Sequence, residues 1–375
     1  MLRPDASPSR ILMTADTLGG VLQYAGELAR GLAENGTQVF LATMGAPLRR
    51  TQRRALEALG PSIHLFESRF ALEWMREPWS DVDRAGDWLL ELAEKVRPDL
   101  VHLNSYAHGA LSFSCPTLVA AHSCVLSWWR AVRKESAPSE YDVYRERVRD
   151  GLVRAGAVVA PSQAMAGALA DHYGVAGDAV VIHNGRDSRA YTPELKHPFV
   201  LSLGRVWDEA KNMAALDEVA GDLPWPVRIA GAADPVRPAR FAHADYLGNL
   251  DGPILGALLG RAAIYALPAR YEPFGLSILE AALSGCALVL GDIPSLRELW
   301  GDAAVYVDPD DRRALAKSLR TVMRDDDLRS ELARRASSRA LRYSATRMTS
   351  KYLHLYRRLL DRETITETKE GAVCA

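Results

Sequence analysis

The stretch from Arg270 to Glu280 reads R-Y-E-P-F-G-L-S-I-L-E and sets two carboxylates, Glu272 and Glu280, around a Pro-Phe-Gly turn that opens a helix-like run. A helix N-terminus presents unpaired N–H groups and a partial positive charge, so backbone from Phe274 through Leu276 to Ser277 is suited to hold a diphosphate. A diphosphate by itself would be repelled by carboxylates. Acids placed beside it therefore point to neutral hydroxyls as their partners, and diphosphate plus hydroxyls describes a nucleotide-sugar. A pair of glutamates on a helix is ordinarily a solvated face. Here an apolar strand-like run, Ala262 to Leu267, precedes the motif and another, Cys286 to Leu290, follows it. That order makes a strand–loop–helix–strand unit.

Three other loops carry chemistry. Phe199 to Leu203 runs into Gly204-Arg205, followed by Lys211-Asn212. Arg205 offers a planar fork of donors and Lys211 a compact charge, a combination that neutralises a leaving diphosphate. Such a donor in a dry site is worth ~3–4 kcal/mol. After the first strand comes Asp16-Thr17-Leu18-Gly19-Gly20-Val21, where Gly19 and Gly20 let backbone approach a phosphate or an acceptor. Taken alone, Gly-Gly is a plain tight turn, and it does not form the G-x-G-x-x-G dinucleotide fingerprint. The run Thr117 to Ala121 ends at His122-Ser123-Cys124, and a lone His is ordinarily structural. Trp128 and Trp129 either pack the core or stack on a sugar face, with packing favoured.

Two D-x-D triplets raise the question of a metal. Asp81-Val82-Asp83 precedes a helical stretch at Asp87 to Lys95, where acids favour the N-terminus. Asp308-Pro309-Asp310 ends a strand with a proline turn. The expectation is a metal-independent site in which Arg205 and Lys211 take the cation's electrostatic role, with no cofactor beyond a nucleoside diphosphate sugar as co-substrate.

The elements that must position these loops alternate. Ile11 to Thr14 reads as a buried strand, and Val21, Ala25, Leu28 and Leu32 recur on one helical face until Asn35-Gly36. Further strands are expected at Gln38 to Thr43, Leu100 to Leu103, Thr117 to Ala121, Val158 to Ala160 and Val180 to His183. A second series begins at Phe199 to Leu203 and continues through Val227 to Ala230, Ala263 to Leu267, Ala287 to Leu290 and Ala304 to Val307. Repeated βαβ units predict an α/β fold of doubly wound parallel sheets, with the polar stretch Gly185 to Pro198 as linker.

At 375 residues the chain has room for two domains, and 48% hydrophobic with 25% charged residues is ordinary for a soluble globular protein. A net charge of -1 excludes a global basic surface for nucleic acid, while leaving local patches such as Arg145 to Arg154. Met1 to Arg10 carries prolines and charges where a secretory signal needs an apolar core, and no apolar run approaches a membrane span. The expected location is the cytoplasm, with peripheral membrane contact left open. Cys115, Cys124, Cys286 and Cys374 lack metal spacing and read as simple thiols.

With these residues in place, the chain resembles the retaining GT-B glycosyltransferases of family 4, whose signature E-x-F-G-x-x-x-x-E is matched by Glu272, Phe274, Gly275 and Glu280. The resemblance runs in order through the Gly-Gly loop, the His loop, the Arg/Lys clamp and the E…E helix. It implies two Rossmann-like domains facing a cleft: an acceptor domain at 1–185, a donor domain at 186–343 and a return helix at 344–361. The tail at 362–375 has Thr, Glu and Lys but little to bury, and from that composition is expected to be disordered. For the site, the resemblance has further consequences. It implies that Glu272 contacts the donor sugar, that the turn amides of Phe274, Gly275 and Leu276 contact sugar or phosphate, and that Glu280 contacts the ribose. It also places His122 near the donor sugar, assigns Gly19 and Gly20 to the donor loop, and makes Arg205 and Lys211 the diphosphate clamp. Domain closure would then complete the site. One departure stands out: after the Gly-Gly loop this chain has Leu22-Gln23-Tyr24 where many members carry His or a charge, so acceptor chemistry does not carry over.

The resulting expectation is retaining transfer of a hexosyl group from a nucleoside diphosphate sugar to a sugar, lipid-linked or small-molecule hydroxyl. A nucleotide-sugar epimerase and a non-catalytic nucleotide-sugar sensor or scaffold are the alternatives.

Overall fold

The computed structural model describes the backbone of residues 7–175, 179–234, 239–250 and 252–373, with side chains to Asp361. The chain divides into two compact units. Met1–Leu126, Ala137–His183 and Ala345–Ala375 make the first, and Ser127–Ser136 with Asn184–Ser344 make the second.

In the first unit β1 (Arg10–Asp16), β2 (Gln38–Met44), β3 (Ile63–Glu67), β4 (Leu100–Leu103), β5 (Thr117–Ala120), β6 (Ala157–Ala160) and β7 (Val180–Val181) form one sheet in the order β3-β2-β1-β4-β5-β6-β7. Every pairing is parallel. Central strands buried on both faces are mostly apolar, and Ile11, Leu12, Met13 and Ala15 are fully buried, with Thr14 the buried polar exception in β1. The helix Val21–Glu34 packs Leu22, Ala25, Leu28 and Leu32 inward and ends at Asn35, whose Nδ2 donates to the Gly31 carbonyl at 2.8 Å. The helix Ala345–Val373 returns to this unit. Its Tyr352 and Tyr356 are buried against Tyr24 and the β4 residue His102.

In the second unit β8 (His197–Leu203), β9 (Val227–Ala230), β10 (Asp245–Tyr246), β11 (Ala262–Leu267), β12 (Ala287–Gly291) and β13 (Ala304–Val307) are ordered β10-β9-β8-β11-β12-β13, again all parallel. Both sheets reverse their strand order beside their first strand, which is the doubly wound pattern expected.

The sequence pattern passes over β3 and β10. β3 lies at a sheet edge with its burial mixed, and β10 has two residues, so neither shows a continuous apolar run. The helix expected from Asp87 starts at Trp79 and runs to Val96, so Asp81 lies inside its first turn instead of preceding it. The tail expected at 362–375 falls on residues whose side chains, and at 374–375 whose backbone, lie outside the described residues; Cys374 is among them. Among the described residues no helix is long and apolar enough to cross a membrane.

Candidate active site

Ligands of an open parallel sheet gather beyond the carboxyl ends of its strands. In the second unit the loop after β8 carries Gly204 and Arg205 and then a single turn, Glu209–Lys211. Asn212 follows in the left-handed region at φ 57, and its Nδ2 donates to the carbonyls of Pro268 at 2.9 Å and Pro309 at 2.7 Å. That side chain ties the loops after β11 and β13 to the loop after β8. Lys211 is thereby held beside the E…E motif, where its Nζ donates to Glu272 Oε2 at 2.5 Å. Both side chains are largely buried, at 15% and 12% exposure.

Arg205 is set by an acid that the sequence reading overlooked. Asp208 Oδ2 accepts from Arg205 Nη2 at 2.8 Å, while its Oδ1 accepts from Ala210 N and from Trp128 Nε1, each at 3.0 Å. Burial pushes the Asp208 carboxyl up, but Lys211, Arg205 and these hydrogen bonds outweigh it and hold the group below the usual carboxylate range. Trp128 thus belongs to the support of this loop. Arg205 also lies over the half-exposed ring of Trp207, 5.3 Å from its centroid.

The helix Leu276–Leu283 begins at Gly275, whose φ is 85. A Cβ there would lie 2.6 Å from Ile278 Cδ1 and 3.3 Å from Glu272 Cγ, so the turn requires glycine and packs directly on the glutamate's stem. Phe274 is buried with its ring edge-on to Tyr343, centroids 5.6 Å apart. Its side chain is core, and only its backbone faces the role expected of the turn. Leu276 opens the helix, and Ser277 Oγ accepts from the buried Tyr265 hydroxyl at 2.8 Å. The Glu272 carbonyl accepts from Ser295 Oγ at 2.7 Å. Glu280, deeper in the helix, forms an ion pair with Arg186; both side chains are 8% exposed.

In the first unit the Gly19–Gly20 loop is folded by Asp16 Oδ1, which accepts from Leu18 N at 2.6 Å, and by Thr17 Oγ1, which donates to the Ala46 carbonyl at 2.7 Å. Gly20 caps the helix Val21–Glu34. His122, just past β5, lies 2.7 Å from Asn104 Oδ1 through its Nε2. Asn104 Nδ2 donates to the Thr14 carbonyl at 2.6 Å, so Oδ1 can only accept and His122 carries its proton on Nε2. Nδ1 is then the acceptor nitrogen. Burial lowers the His122 pKa to about 4, which keeps the ring neutral near pH 7. Tyr24 packs edge-on to His122 at 4.4 Å and donates to Tyr352 Oη at 2.6 Å. The Leu22-Gln23-Tyr24 departure therefore supplies a buried support for His122 and an exposed Gln23.

Asn104, Asp208 and Arg186 are the residues that sequence reasoning missed. An acid three residues after Arg205 was a readable signal for Asp208. Arg186, in a polar linker, gave none, because a charge there reads as solvated. The D-x-D acids are engaged with protein groups: Asp81 accepts from Ala71 N and pairs with Arg84, Asp83 pairs with Arg147, and Asp310 pairs with Arg270 and Lys134. Among the described residues no group of three or more His, Cys, Asp or Glu side chains is placed to hold a metal.

Comparison with known proteins adds two family models in tandem: Glycosyltransferase Family 4 matches residues 18–189, and Glycosyl transferases group 1 matches 187–339. Phosphatidyl-myo-inositol mannosyltransferase from Mycolicibacterium smegmatis is 32% identical over 199 residues, which is 48% of this chain and 52% of that protein. The chain spans between about two fifths and two thirds of the length of the curated relatives it matches. Among solved structures, sucrose-phosphate synthase from Thermosynechococcus elongatus superimposes with a TM-score of 0.80 at 18% identity, covering 94% of this chain and 100% of that one. HepE from Anabaena, solved with UDP and glucose, gives 0.75 at 17% identity over 94% and 100%. Both structural likenesses concern the fold.

Proposed function

The chain belongs to the GT-B glycosyltransferases of family 4, and from that premise we propose that it moves a hexosyl group from a nucleoside diphosphate sugar to a hydroxyl acceptor, with retention at the anomeric carbon and without a metal ion. The observation that carries this reading is the Lys211–Glu272 pair, a cation and a carboxylate 2.5 Å apart against the Gly275 turn that opens a helix. The cation and the helix N-terminus suit a diphosphate, while the carboxylate suits sugar hydroxyls. The mannosyltransferase relative and the UDP-bound neighbour support a nucleotide-sugar donor.

In this reading the diphosphate lies on the turn amides, with Arg205 and Lys211 as counter-charges. The bond between the anomeric carbon and the phosphate oxygen breaks, the acceptor oxygen bonds to the same face of that carbon, and the leaving phosphate takes the acceptor's proton. The protein supplies orientation and charge stabilisation that grow as the diphosphate departs. In the first unit, taken by itself, neutral His122 offers an accepting Nδ1 of the kind that suits a hydroxyl.

Incubating purified protein with a panel of nucleoside diphosphate sugars, with and without acceptor extracts, tests the proposal. Acceptor-dependent diphosphate release with a retained anomeric product is the expected result. Donor binding without turnover across a broad acceptor panel, or an epimerised donor, would overturn it.

A further inference from the structure

The second unit carries a hollow of ≈160 Å³ lined by Arg334, Arg335, Arg339, Arg342, Ser338 and Asp302. It lies between the helix Asp326–Ala340 and the turn at Gly301 and Asp302 that leads into β13. In a parallel sheet all carboxyl ends share one edge. The amino end of β13 is therefore on the edge opposite Lys211 and Glu272, and the six residues of β11 put roughly 17 Å between those edges. The hollow is separate from the candidate donor site.

Surface arginines on a helix are ordinarily solvated or paired within the helix, and part of this set is. Arg334 and Arg335 share Glu331, each at 2.7 Å, and Arg335 also reaches Asp302 at 3.6 Å. Arg339 is held differently. Its Nε and Nη2 donate to the carbonyls of Leu299 and Glu298, capping the C-terminus of the helix Pro294–Trp300. Its Nη1 lies over Gly301, which has a φ of 54 and where a Cβ would come within 2.9 Å of that nitrogen. The glycine lets a guanidinium settle on the turn, and the carbonyls fix its plane. Arg342 has no carboxylate partner among the described residues.

Four guanidinium groups thus face two carboxylates, and the surplus surrounds a space smaller than the ~300 Å³ at which pockets for drug-sized ligands begin. A compact anion fits that space, and planar donor forks match phosphate oxygens. We infer that this hollow is a second anion site, taking a small phosphorylated ligand, either free phosphate or the phosphoryl group of a phosphomonoester. The inference is independent of the transferase reading, because no donor-site residue takes part in it.

Calorimetric titration of the full chain carrying Lys211→Ala, at constant ionic strength, tests it with inorganic phosphate in one arm and a hexose phosphate in the other. That background removes one of the two donor-side cations, Lys211, so the expected result is saturable binding of one or both probes that survives Lys211→Ala and depends on the arginines of the hollow. Arg334→Ala with Arg342→Ala should weaken it at least tenfold, and Arg342→Ala alone should weaken it measurably while leaving the circular dichroism spectrum unchanged. Tighter binding of the hexose phosphate supports a phosphomonoester ligand, and equal binding supports phosphate itself. Absence of saturable binding for both probes, or affinity unchanged in the arginine variants, overturns the inference.

Discussion

Lys211 Nζ and Glu272 Oε2 lie 2.5 Å apart although 61 residues separate them in the chain. Each offsets the other's charge in a largely buried loop, and a bound diphosphate would draw Lys211 while leaving Glu272 to sugar hydroxyls. Lys211→Ala and Glu272→Ala are each expected to lower kcat/KM by about 100-fold or more, near 3 kcal/mol of transition-state stabilisation. The double variant should fall by less than the product of the two, because the residues act as a unit. Steady-state kinetics against the donor identified by the panel checks this, and a loss within about twofold for either single variant removes the assignment.

Arg186 and Glu280 make a second pair that is closed to solvent. Removing one partner leaves the other charge buried, at a cost of about 3–5 kcal/mol, whereas removing both with apolar or neutral groups is far milder. Glu280→Ala should therefore destabilise the second unit more than Arg186→Met combined with Glu280→Gln. Urea unfolding of the three chains decides it; a double variant as unstable as Glu280→Ala would show that the pair's charges are not the governing term.

Gly275→Ala probes the turn itself. The space conflict is with the far end of Ile278, which can move, so the remaining penalty is the left-handed backbone, about 1–2 kcal/mol. Chemical denaturation should show a loss of that size. An unchanged midpoint would mean that the turn re-forms with ordinary dihedrals.

A pH dependence follows from His102. It is fully buried, with Nδ1 2.6 Å from the Tyr356 hydroxyl, and burial lowers its pKa from 6.5 to about 3. The unfolded chain takes up this proton below about pH 6.5 while the folded chain stays neutral, so stability is complete above that value and is lost as pH falls towards 3. Between pH 7 and pH 5 the loss from this group is roughly 2 kcal/mol. In His102→Gln the stability difference between those two pH values should shrink by that amount; an unchanged difference in urea midpoints would show that His102 is not the group titrating.

Much of the architecture could be read in advance. Ala263–Leu267 and Ala287–Leu290 are continuous apolar runs between turn signals, and their burial on both faces leaves little else for them to be. β3 was illegible because an edge strand buries one face in patches, and β10 because a two-residue strand carries no period at all. Among the candidate residues, Arg205, Lys211 and Glu272 stood out as polar groups just past apolar runs. Asp208, three residues after Arg205, was a readable partner for it, but nothing in the linear order showed that Asn104 sets the proton position on His122.

The difference has a physical origin. Backbone preference and hydrophobic periodicity are local, so the sequence by itself determined the alternation of strands and helices, the glycine at the Pro-Phe-Gly turn and the loops in which charge collects. Ion pairs and hydrogen bonds depend on distances of a few ångströms between segments remote in the chain. Only the tertiary structure could decide that Glu280 meets a linker arginine 94 residues away, that Glu272 meets Lys211, and that the arginines of one surface helix converge with the Gly301 turn on a single hollow.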